Sequence, residues 1–260
     1  MPLYLFRHWL EVEGTLRASL GVFLMLDYDG TLTPIASRPE EAVLSGDVKA
    51  LLRKLALSKW VKLAIISGRG LDQLKGLVGL EEAYYAGLHG MVIEGPGLRF
   101  MVEGLDEARR AVEEVKDRLN DRLSGVPGVL IEDKGFSVAV HYRLVPRGYV
   151  KRVARELNAI LASSEGLRAL RGKKVVELLP DVDWDKGKAA LLLLSKAGGT
   201  DRVPVYVGDD ETDEAAFKAL KHLGITVVVG AKKRSTAKFY VRGVEEVVEL
   251  LKKVYSIVAG

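Results

Sequence analysis

Two aspartates, Asp27 and Asp29, stand directly after the apolar run from Val22 to Leu26 and are followed by Gly30 and Thr31. Two anions at the end of a hydrophobic run repel unless a cation lies between them, and hard carboxylate oxygens of this kind suit Mg²⁺. The same residue types also make a plain strand-ending turn. A second acidic group, Asp209, Asp210, Glu211, Asp213 and Glu214, follows the run from Val203 to Val207. Acids favour the first turn of a helix, but one or two satisfy that preference, and five exceed it. Asp209 and Asp213 are therefore read as completing an oxygen cage with Asp27 around one divalent cation. Such a cluster needs further positive charge before it can accept a phosphate. Lys186 or Lys188 in WDKGKAALLLL supplies it, with Lys186 favoured by its place after a hinge proline and at the start of a helix. Ser67 in IISGRG adds a hydroxyl at a strand end, beside a glycine whose neighbouring backbone N–H groups can face an anion.

These segments need a scaffold that gathers them. Five apolar runs, at 22–26, 61–66, 83–86, 203–207 and 224–229, alternate with amphipathic stretches at 47–57, 71–80, 186–196, 212–221 and 244–257. Unbroken Val/Ile/Leu runs belong to strands covered on both faces, hence to a parallel sheet. The alternation predicts an α/β fold with a Rossmann-like, doubly wound core. In such sheets ligands bind beyond the carboxyl ends of the strands, where Asp27, Ser67 and Asp209 stand.

The middle of the chain reads differently. A charged helix from Asp106 to about Leu123 precedes strands at 129–133 and 136–142, joined through Lys134-Gly135. A second helix at 148–162 precedes strands at 167–170 and 174–179, which turn at Arg171-Gly172-Lys173. Helix, hairpin, helix, hairpin predicts a small α/β cap domain, residues 104–182, inserted into a core formed by 1–103 and 183–260.

Composition excludes other classes. The chain has no cysteine, so disulfides, thiolate nucleophiles and Cys-based zinc sites are ruled out. Thirty-nine Lys and Arg against 35 Asp and Glu leave +4, a scattered excess that makes no nucleic-acid footprint. The basic run Lys232-Lys233-Arg234 has no interleaved aromatics and reads as a solvated loop. No apolar run approaches the ~18 residues of a membrane span, no signal peptide is visible, and a cytoplasmic enzyme is expected. A P-loop kinase is excluded because G-x-x-x-x-G-K-[ST] does not occur. Two asparagines (Asn120, Asn158) and one glutamine (Gln73) are few, as in proteins of thermophiles.

Taken together, D-x-D-G-T, S-G-R, W-D-K-G-K and G-D-D-x-T-D resemble the four motifs of the haloacid dehalogenase superfamily. LDYDGTLTPI, YAGLHG, the E-D-K and H-Y-R pair and GKKVVE narrow the resemblance to the trehalose-6-phosphate phosphatase family, from about Phe23 to Thr226. The resemblance implies that Asp27 attacks phosphorus and that Asp29 serves as general acid and base. Mg²⁺ would be held by the Asp27 carboxylate, the Asp29 backbone carbonyl and Asp209, with Asp213 nearby or bridging through water. Lys186 and Ser67 would hold phosphoryl oxygens. Arg69, His89, Glu132, Lys134, His141, Arg143, Lys173 and Glu177 would bind substrate. The residues alone leave His89 open between a cleft residue and a turn histidine, and the hairpin charges open to being a solvated face. Two departures, Leu179 where many relatives carry Arg and Ala215 where an acid is common, touch the substrate end. The expected partner is a sugar phosphate, with neither nucleic acid nor membrane and with a functional link to a trehalose-phosphate synthase. Alternatives are a glucosylglycerol- or mannosylglycerate-type phosphatase, a phosphomutase, or an idle sugar-phosphate-binding regulatory domain. A nucleophile would have little use in the last.

Overall fold

Strands form where β-branched and aliphatic side chains can pack on both faces of a pleat, and β2 shows this residue by residue. In the computed structural model, which describes residues 1–230 and 234–259, Val22, Leu24 and Leu26 enter one apolar cluster. Phe23 and Met25, pointing the opposite way, enter another. The sheet is therefore covered by helices on both sides.

The first part of the chain runs β1 (Leu3–Tyr4), α1 (Trp9–Arg17), β2 (Val22–Leu26), α2 (Gly46–Leu57) and β3 (Val61–Ile66). It continues through α3 (Leu71–Val78), β4 (Tyr84–Gly87), β5 (Val92–Gly95) and β6 (Leu98–Met101). Then come α4 (Leu105–Leu123), β7 (Leu130–Asp133), β8 (Val138–His141), α5 (Arg147–Ala162), β9 (Leu167–Gly172) and β10 (Val175–Pro180). The chain closes with α6 (Lys186–Lys196), β11 (Val203–Gly208), α7 (Asp213–Leu220), β12 (Ile225–Val229), β13 (Phe239–Val241) and α8 (Val244–Ala259). Among the described residues the large sheet has nine strands in the order β1-β13-β12-β11-β2-β3-β4-β5-β6. Pairing is parallel from β1 to β4 and antiparallel between β4 and β5. The five apolar runs are β2, β3, β4, β11 and β12. The four other strands have only two to four residues and lie toward the two edges, which is why no apolar run announced them. Helices α1, α2, α3 and α8 pack on the Val22 side, and α6 and α7 on the Phe23 side.

The chain divides into two compact units, one of Met1–Phe100 with Trp184–Gly260 and one of Met101–Asp183. In the second unit β7-β8-β10-β9 form an antiparallel sheet. Val112, Val115 and Leu119 of α4 and Val153, Leu157 and Ile160 of α5 cover one face, against Val138, Val140, Val176 and Leu178. The register pairs Ala139 with both Glu132 and Glu177, so period-two alternation puts these acids and His141 on the face away from the helices.

Lys232 and Lys233 lie outside the described residues. Among those described, no helix is long and apolar enough to cross a membrane.

Leu26→Ala, at the fully buried end of β2, should cost about 2–5 kcal/mol in chemical denaturation. Leu10→Ala, at a position 86% exposed, should change stability by no more than about 0.5 kcal/mol.

Candidate active site

Three adjacent parallel strands, β11, β2 and β3, each deliver a polar residue immediately beyond their last apolar position. The backbone ladder continues one residue past β2, where the Asp27 N–H donates to the Val207 carbonyl at 2.9 Å. It does the same past β3, where the Ser67 N–H donates to the Ala86 carbonyl at 2.9 Å. Asp27 and Ser67 are thus held by the sheet itself, Asp209 follows the end of β11 at Gly208, and all three are buried.

Asp27, Asp209 and Asp213 each offer a carboxylate oxygen, and the three atoms lie within 4.8 Å of one another. Lys186 arrives from the first turn of α6, which is capped by the Asp185 carboxylate accepting from the Lys188 N–H at 2.9 Å. Of the two lysines left open by the sequence, Lys186 reaches the cluster. Its Nζ donates to Asp27 Oδ1 at 2.7 Å and to Asp213 Oδ1 at 2.8 Å. Asp213, which has no exposed surface, also accepts from the Tyr206 hydroxyl at 2.8 Å and, on Oδ2, from the Asp210 N–H at 2.9 Å. Tyr206 has no counterpart among the sequence candidates. In YVGDD it reads as one more core residue of a strand, and its ring does pack edge-on against Phe217.

Burial pushes the Asp27 carboxyl well above the ordinary carboxylate range; Lys186 pulls it down, but the like charges of Asp213 and Asp209 add to the rise. Burial opposes the charge on Lys186, yet Asp213 and Asp27 outweigh it and hold the ammonium above the usual lysine range. Burial, then Asp213 and Asp27, likewise push the Tyr206 hydroxyl well up. Three carboxylates against one ammonium leave two negative charges in a buried site. The donor set, oxygen only and two charges short of neutral, fits a hard divalent cation such as Mg²⁺. The Asp29 carboxylate stands outside this set.

The loop after Asp27 is tight. Gly30 has φ +81°, and a methyl group on it would lie 2.5 Å from Asp209 Cγ, so glycine is required both for the turn and for the carboxylate's approach. Asp29, whose side chain is 41% exposed, accepts from Arg69 Nε and Nη2, each at 2.7 Å. Arg69 also donates to the Pro39 carbonyl at 2.9 Å, and its guanidinium lies 5.1 Å from the centre of the Tyr28 ring. The Ser67 hydroxyl accepts from the Arg69 N–H at 3.2 Å. His89 lies in the turn after β4, where its N–H donates to the Ser67 carbonyl at 2.8 Å.

The remaining candidates lie in the second unit. His141 Nε2 and Glu132 Oε2 are 2.8 Å apart. Lys134 Nζ is 3.1 Å from Glu177 Oε2, and the fully buried Ser137 hydroxyl donates to Glu177 Oε1 at 2.6 Å. Arg143 donates to the Lys173 carbonyl at 2.9 Å. Ser137 has no signature in the sequence, since a lone serine in a hairpin gives no signal.

A family model described as trehalose-phosphatase matches residues 25–245. A protein of Oryza sativa subsp. japonica named "Probable trehalose-phosphate phosphatase 3" is 35% identical, over 96% of this chain and 73% of its own. One of Arabidopsis thaliana named "Probable trehalose-phosphate phosphatase H" is 35% identical, over 89% of this chain and 71% of its own. Among solved structures, one titled as a trehalose-6-phosphate phosphatase related protein superposes with a TM-score of 0.81 at 26% identity, covering 91% of this chain and 98% of its own.

The raised Asp27 carboxyl has a consequence for stability. Its folded value lies above the unfolded one, so its contribution is fully present below the ordinary carboxylate pKa and is lost as pH rises through the raised value. In EDTA the wild-type melting temperature should therefore fall relative to Asp27→Asn as pH rises above the ordinary carboxylate range, and Mg²⁺ should restore it. Parallel melting curves for the two proteins across that rise in pH would contradict an uncompensated charge.

Proposed function

Because this chain belongs to the trehalose-phosphatase family and is a phosphoric monoester hydrolase, we propose that it hydrolyses trehalose 6-phosphate to trehalose and phosphate through a phosphorylated Asp27. The observation that carries the reading is the buried meeting of Asp27, Lys186, Asp209 and Asp213 at the strand ends.

An Asp27 carboxylate oxygen attacks phosphorus while the bond from phosphorus to the sugar oxygen breaks. Asp29 gives that oxygen a proton, and the sugar leaves as trehalose. Asp29 then takes a proton from water as the water attacks phosphorus, and the bond to Asp27 breaks to release phosphate and restore the carboxylate. Lys186 offsets charge on Asp27 and on a phosphoryl oxygen, and Ser67 donates to another. Asp27, Asp209 and the Asp29 carbonyl would hold the Mg²⁺, with Asp213 beside it or joined through water; when bound, the ion supplies charge neutralisation that lets one anion attack another.

The second unit is proposed as the cap that reads the sugar. A disaccharide presents hydroxyls that both donate and accept, and carboxylates paired with cations or imidazole match that chemistry. Glu132 with His141 and Lys134 with Glu177 provide two such pairs, and the Arg143 guanidinium, donating to the Lys173 carbonyl, adds a further cation.

Phosphate release from a panel of sugar phosphates should peak on trehalose 6-phosphate and stop in EDTA. A different preferred ester overturns the substrate assignment. Asp27→Asn should lose about 10⁴-fold or more in kcat, and Ser67→Ala about 10²-fold. Glu132→Ala and Glu177→Ala should lose about 10- to 100-fold on trehalose 6-phosphate, as loss of a charged hydrogen bond predicts, and little on 4-nitrophenyl phosphate. Equal losses on both esters would remove the sugar-reading role.

A further inference from the structure

Leu88 and His89 follow β4 with φ of +52° and +58°, the left-handed region that side chains other than glycine avoid. A buried leucine in that region is costly, and two such residues in succession persist only where the surroundings over-determine them. What surrounds them is the phosphate end of the site. The Leu88 N–H donates to the Arg69 carbonyl and the His89 N–H to the Ser67 carbonyl, both at 2.8 Å. The imidazole rests on the residue between: a methyl group on Gly68 would lie 2.6 Å from His89 Cε1 and 2.8 Å from Nε2. The turn is braced from its other side as well. Trp184 Nε1 donates to the Gly90 carbonyl at 2.8 Å, and Gly90 abuts Ala189, one turn after Lys186 in α6.

We propose that His89 is a positioning residue: the left-handed turn grips the Ser67-Gly68-Arg69 loop by two backbone hydrogen bonds and by its imidazole on Gly68. Through that loop it sets the Ser67 hydroxyl and the Arg69 guanidinium that holds Asp29. This goes beyond the substrate-binding role that the sequence resemblance implies for His89. It rests on the hydrolase reading above only in needing Ser67 and Asp29 to act on phosphorus. Every phosphate ester meets the same loop, so a positioning His89 affects all substrates alike, whereas a sugar reader affects the disaccharide ester.

The test is a double-mutant cycle on the full chain with Mg²⁺, assayed on trehalose 6-phosphate and on 4-nitrophenyl phosphate. His89→Ala should lower kcat about tenfold on both esters with KM within about threefold, the pattern of an interaction made in the transition state. Gly68→Ala forces a methyl group against the imidazole and should lose more. In Gly68→Ala with His89→Ala the ring is gone, so the double variant should recover to the His89→Ala level. His89→Asn keeps a residue that tolerates the left-handed turn while removing the ring, and should fall between wild type and His89→Ala in kcat with an unchanged melting temperature. Should Gly68→Ala fail to fold, this variant decides: a kcat loss equal on both esters supports the proposal, and wild-type kcat overturns it. Losses in the cycle that multiply, or a loss confined to trehalose 6-phosphate, overturn it too. Asp27→Asn run alongside separates the two claims, since its continued turnover would fail the hydrolase reading whatever the cycle gives.

Discussion

The structure depends on an imbalance of charge kept out of water. Asp27, Asp209 and Asp213 share a buried site with a single ammonium, Lys186. Moving ions of one sign together into a protein interior is unfavourable unless partners compensate, and Lys186 compensates in part. The strain in this arrangement is stored in Asp27, whose carboxyl is pushed well up by burial and by its acidic neighbours. A site poised in this way gains when a dication and a phosphate complete it, which is what a phosphoryl-transfer site requires. Folding stability is given up at the residue proposed to attack phosphorus.

The rest of the first unit serves to keep that imbalance in place. The parallel strands carry the acids to one end of the sheet, with the ladder bonds at Asp27 and Ser67 extending the strand geometry one residue further. Tyr206 and the Asp210 N–H fix Asp213 in place, so that carboxylate orients Lys186 as well as adding charge. Glycine at 30 lets the Asp209 carboxylate approach the loop backbone. The turn at 88–90 joins the Ser67 loop to Trp184 and the start of α6, so segments over a hundred residues apart are tied by short contacts. None of these contacts is large in energy, but each removes freedom from a group whose position matters to a fraction of an ångström.

The second unit follows a different rule. Its sheet buries valines and leucines under two helices and leaves acids and a histidine on the opposite face. Ser137 and Lys134 hold the two oxygens of Glu177, and His141 sits against Glu132. Polar groups fixed against each other in this manner have already given up side-chain freedom that the same residues on an exposed helix would lose on binding a ligand.

The sequence by itself determined the α/β core and its parallel sheet, because strands buried on both faces must be apolar without a break, and a linear chain records that directly. It also singled out Asp27, Ser67 and Asp209 as polar residues gathered at the ends of neighbouring strands, because residues that follow such runs project from strand ends. The short strands near the sheet edges were invisible, having too few residues to carry a period. Tertiary structure alone decided that Lys186 and not Lys188 reaches Asp27, that Asp29 is gripped by Arg69, that Tyr206 and Ser137 donate to Asp213 and Glu177, and that the turn at His89 bonds to the Ser67 backbone. Those facts are contacts between residues distant in the chain, set by packing and by burial of charge. No local pattern encodes which of two lysines, or which buried hydroxyl, the fold will turn toward an acid.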